Sequence, residues 1–125
     1  IGDMFIGALD VSRGADAFNF ATLVAMSTLT GVITTNPAQP ALLAPLAAHF
    51  AEATGWPLKA VLMTMAVGYS TILLPHMVPP VVVGFHVAGI KFRDAMRFVV
   101  PTAMVSLVVL VPLDYLWWRI IGYFG

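Results

Sequence analysis

The sequence contains no cysteine, and only 10% of its residues carry a charge. The lack of cysteine excludes disulfide bonds, thiolate catalysis and cysteine-based metal sites within these residues. A soluble domain has about 25% charged residues, so the charges here are too few to cover the water-facing surface of a small soluble protein. The formal net charge is zero, and no stripe of lysine and arginine is present to neutralise phosphates. Nucleic acid is therefore not an expected partner.

Sequence motifs of catalysis are missing too. The chain has no GxSxG, no HExxH, no P-loop and no pair of carboxylates at helical spacing. We therefore predict that the protein is not an enzyme and carries no cofactor.

Apolar residues are what the chain has in abundance: they make up 60% of the 125 residues, and the mean hydropathy is +0.93. Lipid is the solvent that fits such a composition. We predict an all-α protein of polytopic membrane helices, with the lipid bilayer as its surroundings.

The first long apolar stretch predicts a re-entrant helical hairpin over 18–53. A single straight helix over its uncharged part would be about 50 Å long, whereas the hydrocarbon core of a bilayer is about 30 Å thick. The stretch must break, and the two prolines and polar side chains of 34–40 place the break there. Such a tip is tolerated inside a membrane only where protein buries it or water reaches it.

The second apolar stretch predicts a broken transmembrane helix over 57–88. Three prolines within 74–80 interrupt it, which excludes a regular helix there. We expect a helix to about Leu73, an unwound segment, and a short helix from about Val81. Two interrupted helices in succession are typical of secondary transporters, which build substrate and ion sites at such breaks.

The remaining segments frame these two. Residues 1–17 are mixed in character and predict an interfacial connector, and 89–97 predict an amphipathic cytoplasmic linker because short basic connections favour that side. Residues 98–125 predict a final transmembrane helix ending in an aromatic belt at the outer interface, formed by Tyr115, Trp117 and Trp118.

The polar residues at the breaks allow two interpretations each. Thr35 and Asn36 either bind a ligand or cap the backbone of the hairpin itself. His76 lies in the second break and His86 follows it. Each is a candidate proton site, because an ionisable group within a membrane is a functional candidate. The alternative for each is a neutral histidine whose ring is hydrogen-bonded.

Three runs resemble the divalent-anion:sodium symporter family of the ion transporter superfamily. The run TTNPAQPALLAPLAAHFAEATGWP is similar to that family's second hairpin, whose tip carries Ser-Asn-Thr. The run YSTILLPHMVPPVVVGFHVAGIKFRDAMRF is similar to its broken helix, with Leu-Pro-x-x-Thr-Pro-Pro-Asn. The closing PLDYLWWRIIGYFG is similar to its last helix, and all three runs occur in the family's order.

This resemblance implies an elevator-type symporter of a small dicarboxylate, tricarboxylate or sulfate-like anion with Na⁺, in the bacterial inner membrane and as a homodimer. The chain would be the C-terminal part of the second inverted repeat, and the remainder of the same transporter would be its partner. The implied substrate-binding residues are Thr35, Asn36, Pro37, Pro79 and Pro80. The implied ion-binding residues are Asn36, Met77, Val78 and Pro79.

The chain departs from the family's pattern at both breaks. Pro37 replaces the threonine of the tip, Val78 replaces the threonine of the second break, and Val81 replaces its asparagine. These changes leave two coupling ions open: Na⁺ held by backbone oxygens, or protons through His76. They also leave open a non-transporting anchor or assembly subunit and a permease for another solute.

Overall fold

The computed structural model describes residues 2–124. These residues form seven α-helices and no strand, so the predicted all-α class is confirmed for them. The helices are α1 (Gly2–Leu9), α2 (Asp16–Ile33), α3 (Gln39–Thr54), α4 (Leu58–Ser70), α5 (Pro79–Val87), α6 (Phe92–Val105) and α7 (Val111–Ile120). Ile1 and Gly125, at the ends of the predicted connector and final span, lie outside the described residues.

Two helices are long and apolar enough to cross a membrane. One is α2, with 18 residues; the other has 29 residues and runs from Phe92 to Ile120, because a π-helical turn at Ser106–Leu110 joins α6 to α7 without a gap. Only 11% of the most apolar part of the longer helix is buried. Most of its apolar surface thus faces outward, which favours a membrane or a partner as its surroundings.

The core lies between α2, α3 and α4. Leu23, Phe50 and Val61, one from each helix, have no exposed surface. Helices α2 and α4 cross closely at Gly68, where an added Cβ would lie 2.5 Å from the Ser27 Cβ and 2.7 Å from the Val24 carbonyl oxygen. Small residues at a crossing let two backbones approach, as is common between membrane helices.

The end of α3 and the end of α7 lie together. Gly55 ends α3 in the left-handed conformation that favours glycine, with φ of 73°. Next to it, the Trp56 ring packs on Phe124 with ring centroids 4.3 Å apart, and its Nε1 donates to the Asp16 carboxylate at 2.8 Å. These contacts place the 55–57 turn, the start of α2 and the end of α7 at one end of the molecule.

The predicted linker and the final span form a single helix, which begins at Phe92 rather than at 98. Gly89, with φ of 68°, closes the turn after α5, and no proline or glycine follows before Pro101, so nothing stops the helix from starting early. The outward face of its first turns carries Arg93 and Arg97, which are exposed. Farther along, most exposed residues of the same helix are apolar, and Thr102 and Arg119 are the polar ones.

Candidate functional site: the junction of the two breaks

The first break lies between α2 and α3. Helix α2 ends at Ile33, Thr34 and Thr35 are extended, and a 3-10 turn at Asn36–Ala38 leads into α3. Pro37 and Pro40 lack the N–H that a continuing helix needs. The break therefore falls where its prolines predict it.

The second break lies between α4 and α5. Helix α4 ends at Ser70, three residues before the predicted end, and Thr71 is extended. A 3-10 turn at Pro75–Met77 precedes α5, which starts at Pro79. The residue before a proline is pushed toward extended backbone, and Leu74, with φ of −132°, conforms to this.

The second break lies against the last turn of α2, directly before the first break. The His76 Nε2 donates to the Val32 carbonyl oxygen at 3.0 Å. Because a carbonyl oxygen can only accept, Nε2 carries the proton in this contact. Next to it, the Met77 side chain is fully buried and lies where a Cβ on Gly31 would be. The second break thus closes over the last turn of α2, where helix carbonyls lack partners within their own helix.

A buried amide lies under this contact. Gln39, the first residue of α3, is fully buried. Its Nε2 donates to the Asn36 Oδ1 at 3.0 Å, and its Oε1 has no hydrogen-bond partner among the described residues. A buried acceptor without a partner is costly, so this oxygen calls for a donor or a cation. Sequence reasoning missed Gln39, although a polar side chain inside the predicted tip was an available signal.

The junction offers more acceptors than donors. Prolines occupy the starts of both helices that begin here, so several N–H groups that would form anion sites at these helix ends are missing. Two N–H groups that are present bond to nearby carbonyl oxygens of the same segment. The Ala38 N–H donates to the Thr35 carbonyl and the Val81 N–H donates to the Val78 carbonyl, each at 2.9 Å. An anion would therefore rely on side-chain donors, whereas carbonyl oxygens suit a cation.

The predicted site residues differ in exposure. Thr35, Asn36 and Val78 are half-buried, and Met77 is buried. The three prolines predicted at the substrate site are exposed: Pro37, Pro79 and Pro80. The structure places His76 and Met77 against Val32 and Gly31, at the end of α2 that precedes the 35–37 segment. Among the described residues, no hydrogen bond joins the Asn36 side chain to the second break.

The two histidines share a cavity. It has a volume of about 240 Å³, and both His76 and His86 line it, together with Pro75 and Phe85. Both histidines are exposed. His76 also bridges the breaks, whereas His86 lies on α5 beyond them.

Comparison of the chain with models of protein families, with curated proteins and with solved structures found no match.

Proposed function

We propose that this chain is part of a secondary active transporter that moves a small dicarboxylate, tricarboxylate or sulfate-like anion across a membrane, coupled to Na⁺ or to protons. In this proposal α2 and α3 form a re-entrant hairpin and α4 and α5 form a broken transmembrane helix. The whole protein is a polytopic, homodimeric, elevator-type member of the divalent-anion:sodium symporter family, in the bacterial inner membrane. The rest of the same transporter supplies the other half of the site.

The observation that carries this proposal is the contact of the second break with the end of α2, directly before the first break. Residues 44 apart in sequence meet where His76 donates to the Val32 carbonyl, within a chain whose helices are apolar. Irregular backbone in such surroundings is tolerated where it lines a cavity or is covered by protein. Secondary transporters place substrate and coupling ions at junctions of this kind.

The proposed roles follow from donors and acceptors. Thr35 and Asn36 are half-buried, and their side chains supply the donors to the substrate that the prolines remove from the backbone. The Gln39 contact holds the Asn36 oxygen, so the Asn36 Nδ2 is left to donate. Carbonyl oxygens around Met77, Val78 and Pro79, together with the Asn36 side chain, would hold the coupling ion.

Uptake by the full-length protein in liposomes tests this function. We expect Asn36→Ala to lower gradient-driven uptake of a dicarboxylate about tenfold or more, since loss of one polar contact to a charged ligand costs at least that factor. The control is Asn19→Ala: it makes the same substitution at a buried asparagine of α2, whose side chain bonds to Ser12, away from the breaks.

Two results would count against the proposal. Full uptake by a folded Asn36→Ala variant would show that the junction does not bind the transported anion. Absence of uptake by the wild-type protein for every anion tried, with no effect of Asn36→Ala on its assembly, would favour an anchor or assembly subunit.

A further inference from the structure

A second polar site lies between the long helix, α4 and the first residues of the second break. A cavity of about 460 Å³ is open there, lined largely by apolar side chains. Five residues with oxygen-bearing side chains also line it: Ser70, Thr71, Thr102, Ser106 and Asp114. We refer to it as the Asp114 cavity.

The π-helical turn explains how Asp114 reaches this cavity. Val111 N–H donates to the Ser106 carbonyl, five residues earlier, instead of four as in an α-helix. Pro112 follows directly; it has no N–H for the Val108 carbonyl, and its ring would crowd that carbonyl in a regular helix. The wider turn relieves both problems.

The wider turn changes which side chains share a face. In a regular helix Asp114 would be rotated by about 80° from Ser106 and about 120° from Thr102. One extra residue in a turn takes back about 100° of rotation. Asp114 thereby comes into line with Thr102 and Ser106, and all three border the same cavity.

The hydroxyl groups present oxygens to the cavity. Thr102 Oγ1 donates its proton to the Phe98 carbonyl at 2.7 Å, and Thr71 Oγ1 donates to the Val67 carbonyl at 3.3 Å. Since each proton is directed into its own helix, the lone pairs of these oxygens remain free to accept. Several neutral oxygens and one carboxylate form the ligand set that hard cations prefer.

The charge of Asp114 requires a counter-charge. Asp114 is half-buried and lies within the helix that is long and apolar enough to cross a membrane. The structure gives it no ion pair or hydrogen bond with the part of the chain described here, and Arg119, the nearest basic residue in sequence, donates to Tyr115 instead. An ionisable group at such a place is expected to have a functional partner.

We propose that the Asp114 cavity binds a Na⁺ ion, with the Asp114 carboxylate as its charged ligand and the hydroxyls of Thr102, Ser106 and Thr71 as neutral ligands. A single carboxylate balances one monovalent charge, which favours Na⁺ over a divalent cation. The site includes Thr71, at the start of the second break, but neither His76 nor Met77, which contact α2. The proposal does not depend on transport.

Binding of radioactive Na⁺ to the purified full-length protein, at constant ionic strength with choline, tests this. We expect Asp114→Asn to lower Na⁺ affinity about tenfold or more and Ser106→Ala to lower it less. Asp94→Asn is the matched control: it removes a half-buried carboxylate of the same helix that pairs with Arg97 instead of lining the cavity, and it should bind Na⁺ as the wild type does. A loss of Na⁺ binding that follows Asp114→Asn but not Asp94→Asn assigns the lost binding to the cavity.

Equal Na⁺ affinity in the wild type and Asp114→Asn would overturn the proposal, as would a wild type that binds no Na⁺. If Asp114→Asn does not fold, Thr102→Val and Ser106→Ala decide: lowered affinity in both supports the site, and unchanged affinity in both refutes it.

Discussion

Single residues decide how closely these helices approach. Gly68 brings α4 against α2, where the Thr28 hydroxyl donates to the Gly68 carbonyl at 2.9 Å. At the breaks, Gly31 leaves the space that the Met77 side chain fills. Glycines at these two positions serve packing between elements, and larger residues there would separate the elements.

Gly68→Ala is predicted to destabilise the protein by about 1–3 kcal/mol, because the new methyl group meets α2 backbone that cannot move aside. Thermal unfolding in detergent measures the loss. Gly84→Ala is the control: no atom lies within 4 Å of its added Cβ, so its Tm should not fall. A Gly68→Ala protein as stable as the wild type would show that α2 and α4 do not cross as described.

His76 is predicted to act as a structural donor whichever ion couples transport. His76→Gln keeps an N–H for the Val32 carbonyl and should keep the wild-type Tm, whereas His76→Ala leaves that carbonyl without its donor and should cost about 1 kcal/mol of stability.

The same His76→Gln variant distinguishes between protons and Na⁺ as the coupling ion. Loss of pH-driven uptake assigns the proton to His76; unchanged uptake across pH excludes it and leaves Na⁺.

At the scale of elements, irregular turns determine which faces meet. The two proline breaks end α2 and α4 at places where their last carbonyls face other segments, and the π-turn resets the register of the long helix. Each irregularity has a proline next to it or within it, so a local steric cause produces a change in tertiary contacts.

Pro112→Ala is predicted to close the π-turn, because an alanine at 112 restores the N–H for the Val108 carbonyl. The residues that follow would then rotate by about 100°, and Asp114 would leave the cavity. Na⁺ affinity should fall about as far as in Asp114→Asn. Pro101→Ala, which removes the other proline of the same long helix outside the π-turn, should bind Na⁺ normally. Wild-type binding by Pro112→Ala would refute the role given to the turn.

At the scale of the whole molecule, the long helix determines the orientation. With 29 residues it spans about 43 Å, more than the hydrocarbon core of about 30 Å, so its basic first turns reach beyond the core. Its far end lies beside the 55–57 turn through the contact of Trp56 with Phe124. We therefore predict that the two ends of this helix lie on opposite sides of a membrane.

Labelling of single introduced cysteines in membrane vesicles checks this orientation. These 125 residues contain no native cysteine, so no other thiol of this part of the protein can react. Arg93→Cys should react only from the cytoplasmic side. Glu52→Cys and Arg119→Cys should both react from the opposite side. Labelling of Arg93→Cys and Arg119→Cys from one side would show that the helix does not cross.

The sequence by itself determined the helical class, because apolar runs and prolines act through local solvation and sterics. The helices of the structure are interrupted at 34–38 and 71–78, and both interruptions contain prolines. The end of α3 at Gly55 also has a local cause, because glycine adopts the left-handed conformation easily. Only the tertiary structure decided that the second break lies against the end of α2, that the Gln39 Oε1 is buried without a partner among the described residues, and that Asp114 lines one cavity with hydroxyls of α4 and α6. These features depend on contacts between residues far apart in sequence, such as His76 with Val32, and on the exact rotation of a helix. Local sequence patterns carry no information about such contacts or about helix rotation. The one extra residue in the turn at Ser106–Leu110 rotates every later side chain of the helix relative to the earlier ones.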